Sequence, residues 1–162
     1  MIFATVGAQM PFDRLIRTVD EWASSRGRSD VFAQIGSSNY RSRSIETTHH
    51  INPLEFRQRV EAATVIVAHA GMGTIITALE FGKPIIVMPR RANLRETRND
   101  HQVATALQFG EDGRIIVALD EEELIKKLDQ FRVPIQDMDP IAVHASTPLI
   151  VTLRDFIEGK LK

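Results

Sequence analysis

The sequence predicts an α/β fold: a Rossmann-like parallel sheet with helices on both faces. Five apolar runs of strand length recur along the chain, and helix-length stretches separate them. The runs are mostly apolar, without apolar-polar alternation, which is typical of parallel strands that helices cover on both sides, because right-handed crossovers place helices on the sheet faces. The predicted strands are Ile2–Val6, Val31–Ile35, Thr64–Ala68, Pro84–Met88 and Arg114–Val117.

The stretches between these runs have the periodicity of amphipathic helices. Phe12–Ser24 places its large apolar side chains on one helical face, and Leu54–Ala63 and Val103–Phe109 show similar spacing. Asp120 precedes three glutamates and then an apolar pattern, which is typical of a helix N-cap with an acidic first turn. The acidic run therefore predicts the start of a helix rather than an acidic binding site.

Length and composition favour one domain. The chain has 162 residues, of which 43% are hydrophobic, and this suits a single core spanning residues 1–162. Residues 133–148 contain three prolines and no clear periodicity. We expect them to connect the core to a last helix at Leu149–Leu161.

Charge and cysteine usage exclude several classes of function. Twenty Lys and Arg residues against twenty-one Asp and Glu give a formal net charge of −1, so no global field would draw the protein onto nucleic acid. The sequence has no cysteine, which excludes disulfides, thiolate metal sites and a cysteine nucleophile. No segment approaches the roughly 18 consecutive apolar residues of a transmembrane helix. We therefore expect no nucleic-acid partner and no direct membrane span.

The segment His69-Ala70-Gly71-Met72-Gly73-Thr74 has the pattern of a phosphate-binding turn between a strand and a helix. Gly71 and Gly73 allow a ligand to approach the backbone, Thr74 supplies a hydroxyl, and a helix N-terminus directs free N–H groups outward. A tight turn without any ligand explains the glycines equally well. The segment lacks the Gly-Lys-Ser/Thr of a Walker A motif and the third glycine of the dinucleotide fingerprint.

Two more loops are expected at the same edge of the sheet, because ligands of such folds bind beyond the carboxyl ends of the strands. The loop Pro89–Gln102 is long and rich in groups that hydrogen-bond sugar hydroxyls, although polar loops are often only solvated connections. Its arginines are natural partners for the carboxylate of a uronic acid. In the turn Thr5–Pro11, Gly7 and Ala8 could offer N–H groups to a phosphate or form a plain turn.

The remaining signals do not identify a catalytic residue. None of the five histidines forms a pair with convincing metal-ligand spacing. For His69, a structural role and a catalytic role are both open. The sequence has no Gly-x-Ser-x-Gly elbow and no clear Ser/His/Asp set, which argues against a covalent hydrolase. The expectation is a site that requires no metal and no cofactor.

Four of these segments together resemble the C-terminal domain of glycosyltransferase family 28. They are Thr5-Val6-Gly7, the His69–Thr74 turn, Leu79-Glu80-Phe81-Gly82-Lys83-Pro84 and Asn99-Asp100-His101-Gln102. The resemblance extends from about Ile2 to Phe131. Within the family, the chain is most similar to the stand-alone, donor-binding subunits of two-chain UDP-sugar transferases of lipid-linked oligosaccharide or exopolysaccharide synthesis. The fold implied is the C-terminal half of a GT-B glycosyltransferase.

The resemblance also implies the parts of a UDP-sugar site. The donor's diphosphate would lie around Gly7, Gly71, Met72, Gly73 and Thr74. The backbone at His50 and Ile51 would face uracil, and Asp100 and Gln102 would contact hydroxyls of the donor sugar. Ala8, His69 and His101 are also expected among the residues that bind the UDP-sugar. One position departs from the family, which usually has a ribose-binding carboxylate where this sequence has Thr77. Glu80, three residues later on nearly the same helix face, could replace it.

The function implied is transfer of a hexosyl group from a UDP-sugar to a lipid-linked or polysaccharide acceptor, together with a second, acceptor-binding and membrane-anchored subunit. The chain alone is expected to be weakly active or inactive, and to be located in the cytoplasm, at the inner membrane face when its partner holds it there. Two rival functions are open. One is a non-catalytic nucleotide-sugar sensor, which Thr77 favours. The other is a sugar-nucleotide epimerase, which the short length disfavours.

Overall fold

The sheet of this protein has six parallel strands in the order β3-β2-β1-β4-β5-β6. The structure is a computed structural model, and it describes residues 1–132, 140–142 and 144–160. Its strands are β1 (Ile2–Thr5), β2 (Val31–Gln34), β3 (Glu46–Thr48), β4 (Val65–Ala68), β5 (Ile85–Val87) and β6 (Ile116–Val117). The predicted α/β class and the parallel, Rossmann-like sheet are confirmed.

Six α-helices are described together with the strands. They are α1 (Asp13–Ser25), α2 (Pro53–Ala62), α3 (Met72–Glu80), α4 (His101–Glu111), α5 (Glu121–Gln130) and α6 (Thr147–Ile157), and a 3₁₀ turn spans Ala92–Leu94. Asp120 caps α5 as predicted, because its side chain accepts a hydrogen bond from the N–H of Glu123 at 2.9 Å. Gly82 follows α3 with a φ of 60°, a conformation that suits glycine after a helix.

Two hydrophobic clusters cover the two faces of the sheet, as the uninterrupted apolar strands predict. On one face, α1 and α5 bury residues such as Leu15, Ile16 and Leu124. On the other face, α2, α3 and α4 bury Val60, Ile75 and Ala106. Each interior strand therefore has both faces inside the core, which accounts for the lack of apolar-polar alternation in its sequence.

The order of the strands determines where a ligand can bind. The chain moves outward from β1 to β2 and β3, and then returns to add β4, β5 and β6 on the other side of β1. The connections after β1 and β4 therefore diverge to opposite faces of the sheet, and they leave a crevice at the carboxyl ends of these two strands. The glycine turns of the sequence lie at this switch point.

The structure differs from the sequence-based expectations in three places. Strand β3 was not predicted, and the last strand has two residues rather than the four of Arg114–Val117. The final helix, α6, has no buried residue, and it exposes Leu153, Phe156 and Ile157. Half of the predicted connection at residues 133–148 lies outside the described residues. None of the described helices is long and apolar enough to cross a membrane.

Candidate functional site

The two glycine turns lie side by side because strands β1 and β4 are neighbours in register, with Thr5 opposite Ala68. Helix α3 begins at Met72 with Gly71 as its N-cap, and no side chain caps it. Its first intrahelical hydrogen bond runs from the N–H of Ile75 to the carbonyl of Gly71, at 3.1 Å. The N–H groups of the first turn therefore point out of the helix end, where they can receive an anion.

The His69 side chain fills the space between the two turns. A methyl group on Gly7 would lie 2.7 Å from the Cε1 atom of His69, and one on Gly71 would lie 2.2 Å from its Nε2 atom. Both distances are far below a van der Waals contact, so both positions require glycine while the ring keeps its place. His69 thus separates the turn at Gly7 from the turn at Gly71, and both turns pack against its ring at a distance that only glycine permits.

Burial, and to a smaller extent the nearby Arg90, lowers the pKa of His69 to about 4, while the backbone of Thr5 opposes the shift. The imidazole is therefore neutral at pH 7. Its Nδ1 atom is buried and has no hydrogen-bond partner among the described residues. These observations favour the structural role for His69 over a role as a permanent cation at the site.

A buried network of hydrogen bonds holds the first turn from below. The hydroxyl of Thr5 donates to the side-chain oxygen of Gln34 at 2.7 Å, and it accepts from the N–H of Gly7 at 3.2 Å. The side-chain nitrogen of Gln34 donates to the carbonyls of Gly7 and His49, at 3.1 and 3.0 Å. Gln34 thus joins the turn after β1 to the segment before α2. Sequence reasoning missed both residues, although each is a polar residue at the end of an otherwise apolar strand.

Replacing Gln34 with methionine tests this network, because methionine keeps the length of the side chain and removes its amide. We expect the free energy of unfolding to fall by about 2 kcal/mol, since two buried carbonyls and the Thr5 hydroxyl lose a partner. Chemical denaturation at pH 7 measures the change. Gln108→Met on the exposed surface of α4 is the matched control, with an expected change under about 0.5 kcal/mol. Equal effects of the two substitutions would contradict the network's role.

The predicted site residues line two adjoining pockets that share Gly7 and Ala8. The first pocket, of about 470 Å³, lies at the α3 N-terminus, and its predicted members are Gly7, Ala8, His69, Gly71, Met72, Gly73, Thr74, His101 and Gln102. The second, of about 410 Å³, contains His50, Ile51 and Thr77 beside Gly7 and Ala8. Pro53 and Phe56 give this second pocket an apolar wall that the sequence alone did not indicate. Of the predicted residues, only Glu80 and Asp100 line neither pocket.

Glu80 lies behind the second pocket. Its carboxylate accepts a hydrogen bond from the guanidinium of Arg57 at 3.3 Å, and that guanidinium also stacks 4.8 Å from the ring centre of Phe81. Arg57, rather than Glu80, lines the pocket. The hydroxyl of Thr77 donates to the carbonyl of Gly73 within α3, at 2.8 Å. The two candidates for ribose recognition are therefore both engaged by other groups in this structure.

Side chains of the long loop after β5 make hydrogen bonds within the protein, unlike those of a purely solvated connection. Asp100 accepts a hydrogen bond from the N–H of Ala92 at 2.8 Å, so its carboxylate shapes the loop. Gln102 is buried in α4, and its side-chain oxygen accepts from the N–H of Arg90 at 3.1 Å. His101 begins the helix, and its ring nitrogen Nδ1 bonds the side-chain oxygen of Asn99. His101 and Gln102 are thus helical, whereas the sequence placed them in the loop.

The arginines of this loop serve different purposes. Arg91 donates to the carbonyl of Leu119 at 2.6 Å. Arg90 is buried, and it donates to the carbonyls of Val6 and Met10 in the first turn. Only Arg95 and Arg98 have exposed side chains that could meet a carboxylate of a sugar. Within the described part of the chain, no group of three or more His, Asp and Glu side chains could hold a metal ion.

Solved structures share this architecture. The solution structure of ALG13 superimposes with a TM-score of 0.60 at 17% identity, over 94% of this chain and 93% of that one. The glycotransferase of kitacinnamycin gives a TM-score of 0.53 at 22% identity, over 79% of this chain. This chain spans only about a third of that larger protein, 34% of its length. At these identities the likeness shows the fold alone, which UDP-N-acetylglucosamine 2-epimerases share as well.

Sequence comparison identifies the family. A curated relative, the "UDP-N-acetylglucosamine transferase subunit ALG13" of Yarrowia lipolytica, is 27% identical over 150 residues, which cover 82% of this chain and 72% of the relative. The profile of the glycosyltransferase family 28 C-terminal domain matches residues 1–142. The predicted resemblance and the predicted glycosyltransferase class are confirmed. The chain belongs to the glycosyltransferase family 28 C-terminal domain family, and its fold corresponds to the C-terminal half of a GT-B enzyme.

Proposed function

We propose that this chain is the donor-binding subunit of a glycosyltransferase that moves a hexosyl group from a UDP-sugar to a lipid-linked or polysaccharide acceptor. The observation that carries the proposal is the open N-terminus of α3, which directly follows the second glycine turn and lies beside the two pockets that share Gly7 and Ala8. An elongated ligand with an anionic centre and two different ends suits this arrangement. A UDP-sugar has that form.

The two pockets favour one orientation of the donor. Uracil would lie against Ile51 and Phe56 in the more apolar pocket, with the backbone near His50 at its edge. The diphosphate would receive hydrogen bonds from the free N–H groups of α3 and would lie against the turn at Gly7 and Ala8, where the N–H of Gly7 already donates to Thr5. The sugar would then extend toward His101 and Gln102 in the first pocket. Helix N–H groups can stabilise the charge that develops on the departing UDP without a metal ion.

The acceptor and its activating base would be contributed by a second subunit. The Yarrowia relative is itself named as a subunit, and this chain matches the C-terminal domain of its family. Helix α6 adds an apolar exposed surface at Leu153, Phe156 and Ile157 that suits a protein contact. A membrane-anchored partner would bring the pair to a lipid-linked acceptor at the cytoplasmic membrane face.

Titration calorimetry with UDP, UDP-sugars, ADP and GDP tests the donor site. We expect the isolated chain to bind UDP and at least one UDP-sugar more tightly than either purine nucleotide, because in the proposed orientation uracil faces the backbone at His50 and Ile51. A release assay for UDP then tests transfer. The single chain should transfer sugar slowly or not at all, and co-expression with its partner should raise the rate by at least 100-fold.

Three outcomes would contradict the proposal in different ways. No binding of any uridine nucleotide would refute the donor site. Full turnover by the single chain would refute the division of labour between two subunits. Binding without transfer, even with the co-expressed partner, would instead support the second candidate, a non-catalytic nucleotide-sugar sensor. Thr77 favours that candidate, because it stands where the family usually has a ribose-binding carboxylate and its hydroxyl donates to the carbonyl of Gly73.

A further inference from the structure

Arg90 is a buried cation at the centre of the first pocket's framework. The residue is only 4% exposed, and its guanidinium nitrogen Nη2 donates to the carbonyls of Val6 and Met10. Its Nε atom is buried and has no hydrogen-bond partner among the described residues. The guanidinium also stacks over the ring of Phe12, 5.1 Å from its centre. Arg90 therefore holds the first glycine turn at both of its ends.

The positive charge of Arg90 is incompletely compensated. Within the described part of the chain, no carboxylate oxygen lies within 4.0 Å of the guanidinium, and Glu96 acts on it only from a distance. Burial accordingly lowers the pKa of Arg90, although arginine keeps its proton at any physiological pH. A buried charge without a paired opposite charge destabilises the fold, and a neutral donor such as glutamine could hydrogen-bond carbonyls in the turn without burying a charge. The charge therefore needs an explanation other than packing.

The pocket above Arg90 supplies an explanation for this buried charge. Arg90 is the only Arg, Lys, Asp or Glu among the residues that line this pocket, and the neutral His69 lies beside it. The N–H groups of the α3 N-terminus open into the same space. The pocket thus contains two sources of positive potential and no negative side chain. The ligand chemistry that completes it is a phosphate or diphosphate group.

We propose that Arg90 is a positioning residue that braces the first glycine turn and supplies the buried counter-charge for the diphosphate of the donor. The inference rests on the proposed UDP-sugar site. Because Arg90 is buried, it acts through the turn and through the electrostatic field rather than by touching the ligand. The two roles predict different effects of a substitution. Loss of the brace lowers the affinity for every ligand that touches Gly7 and Ala8. Loss of the charge lowers the affinity for each ligand in proportion to that ligand's own charge.

Calorimetry with uridine, UMP and UDP on the purified full chain separates these roles, because the three ligands share a base and ribose but differ in charge. In Arg90→Gln we expect UDP to bind about 10- to 100-fold more weakly and uridine less than about threefold more weakly. Arg90→Lys, which keeps a cation, should retain the preference for UDP over uridine within about threefold. Arg91→Gln is the matched control, since Arg91 donates to Leu119 and does not line the pocket. It should leave all three affinities unchanged.

Other results of this calorimetry would overturn one or both of the roles proposed for Arg90. Equal losses of uridine and UDP affinity in Arg90→Gln would reduce Arg90 to a brace and overturn its electrostatic role. Unchanged affinities would overturn both roles while leaving the proposed donor site intact. If the wild-type chain binds none of the three ligands, the proposed function fails, and this inference fails with it. If Arg90→Gln does not fold, Arg90→Lys tests the proposal instead. This variant keeps the charge, so loss of its preference for UDP over uridine would overturn the proposal.

Discussion

Gly7→Ala is expected to lower the free energy of unfolding by about 2–5 kcal/mol and to abolish nucleotide binding. Gly7 has a φ of 75°, in the left-handed region, where an L-residue costs about 1–2 kcal/mol. The methyl group of the new alanine would also lie 2.7 Å from the Cε1 atom of His69. The shifts that accommodate such overpacking lower the free energy of unfolding by about 1–3 kcal/mol more. Since natural domains are stable by only about 5–15 kcal/mol, this loss is large.

Two other glycines separate these contributions. Gly27 has a φ of 61° but nothing within 4 Å of an added methyl group, so Gly27→Ala measures the backbone strain alone. Gly71 has a φ of −92° but a methyl position only 2.2 Å from Nε2 of His69, so Gly71→Ala measures the steric conflict alone. Urea denaturation of the three variants should give losses for Gly27→Ala and Gly71→Ala that sum to about the loss for Gly7→Ala.

Binding measurements on the same variants connect stability to the site. Gly27 lies far from the pockets in the turn after α1, so Gly27→Ala should bind UDP as the wild type does. Gly7→Ala and Gly71→Ala should not bind UDP, because each displaces His69 or one of the two turns that it separates. A Gly7→Ala variant as stable as Gly27→Ala would show that His69 moves aside freely. It would remove the basis for treating the ring as a fixed spacer.

The elements that sequence reasoning found are those whose signal is local. Five strands lie in mostly apolar runs, and Asp120 with its glutamates is a complete N-terminal helix signal within four residues. Strand β3 is different, because Glu46-Thr47-Thr48 has no apolar run and lies at the edge of the sheet. Its position depends on pairing with β2 and on the buried carboxylate of Asp20, which accepts from the N–H groups of Arg43, Ser44 and Ile45. These contacts join distant parts of the chain and leave no periodic pattern.

The same distinction applies to the candidate site. Glycines before a helix are recognisable in a sequence, so the turn at Gly71 could be predicted as a place where a ligand can approach. The residues that hold these turns could not be predicted. Arg90 reaches Val6 across 84 residues, and Gln34 reaches Gly7 across 27. Which polar residue meets which turn is decided by strand order, and strand order is a property of the whole fold.

The stability of the protein is expected to fall by up to about 3 kcal/mol between pH 6.5 and pH 4 through His69 alone. The folded state holds the pKa of His69 at about 4, whereas an exposed histidine has a pKa of 6.5, and burial is the main cause. In this range the unfolded chain binds more protons at this position than the folded chain does. The contribution is therefore complete above pH 6.5, decreases as the pH falls, and is lost near pH 4.

His69→Gln isolates this contribution, because glutamine is polar and does not titrate. Denaturation with urea at pH 7, 6, 5 and 4 should give a shallower decline for the variant than for the wild type, even if the variant is less stable at every pH. Asp30 and Asp129 have a pKa below the usual 3.8, so the stability that they contribute is lost below this range. Parallel curves would show that His69 titrates normally in the folded state. The ring would then be able to carry a charge beside the proposed diphosphate site, and a catalytic role for His69 would be open again.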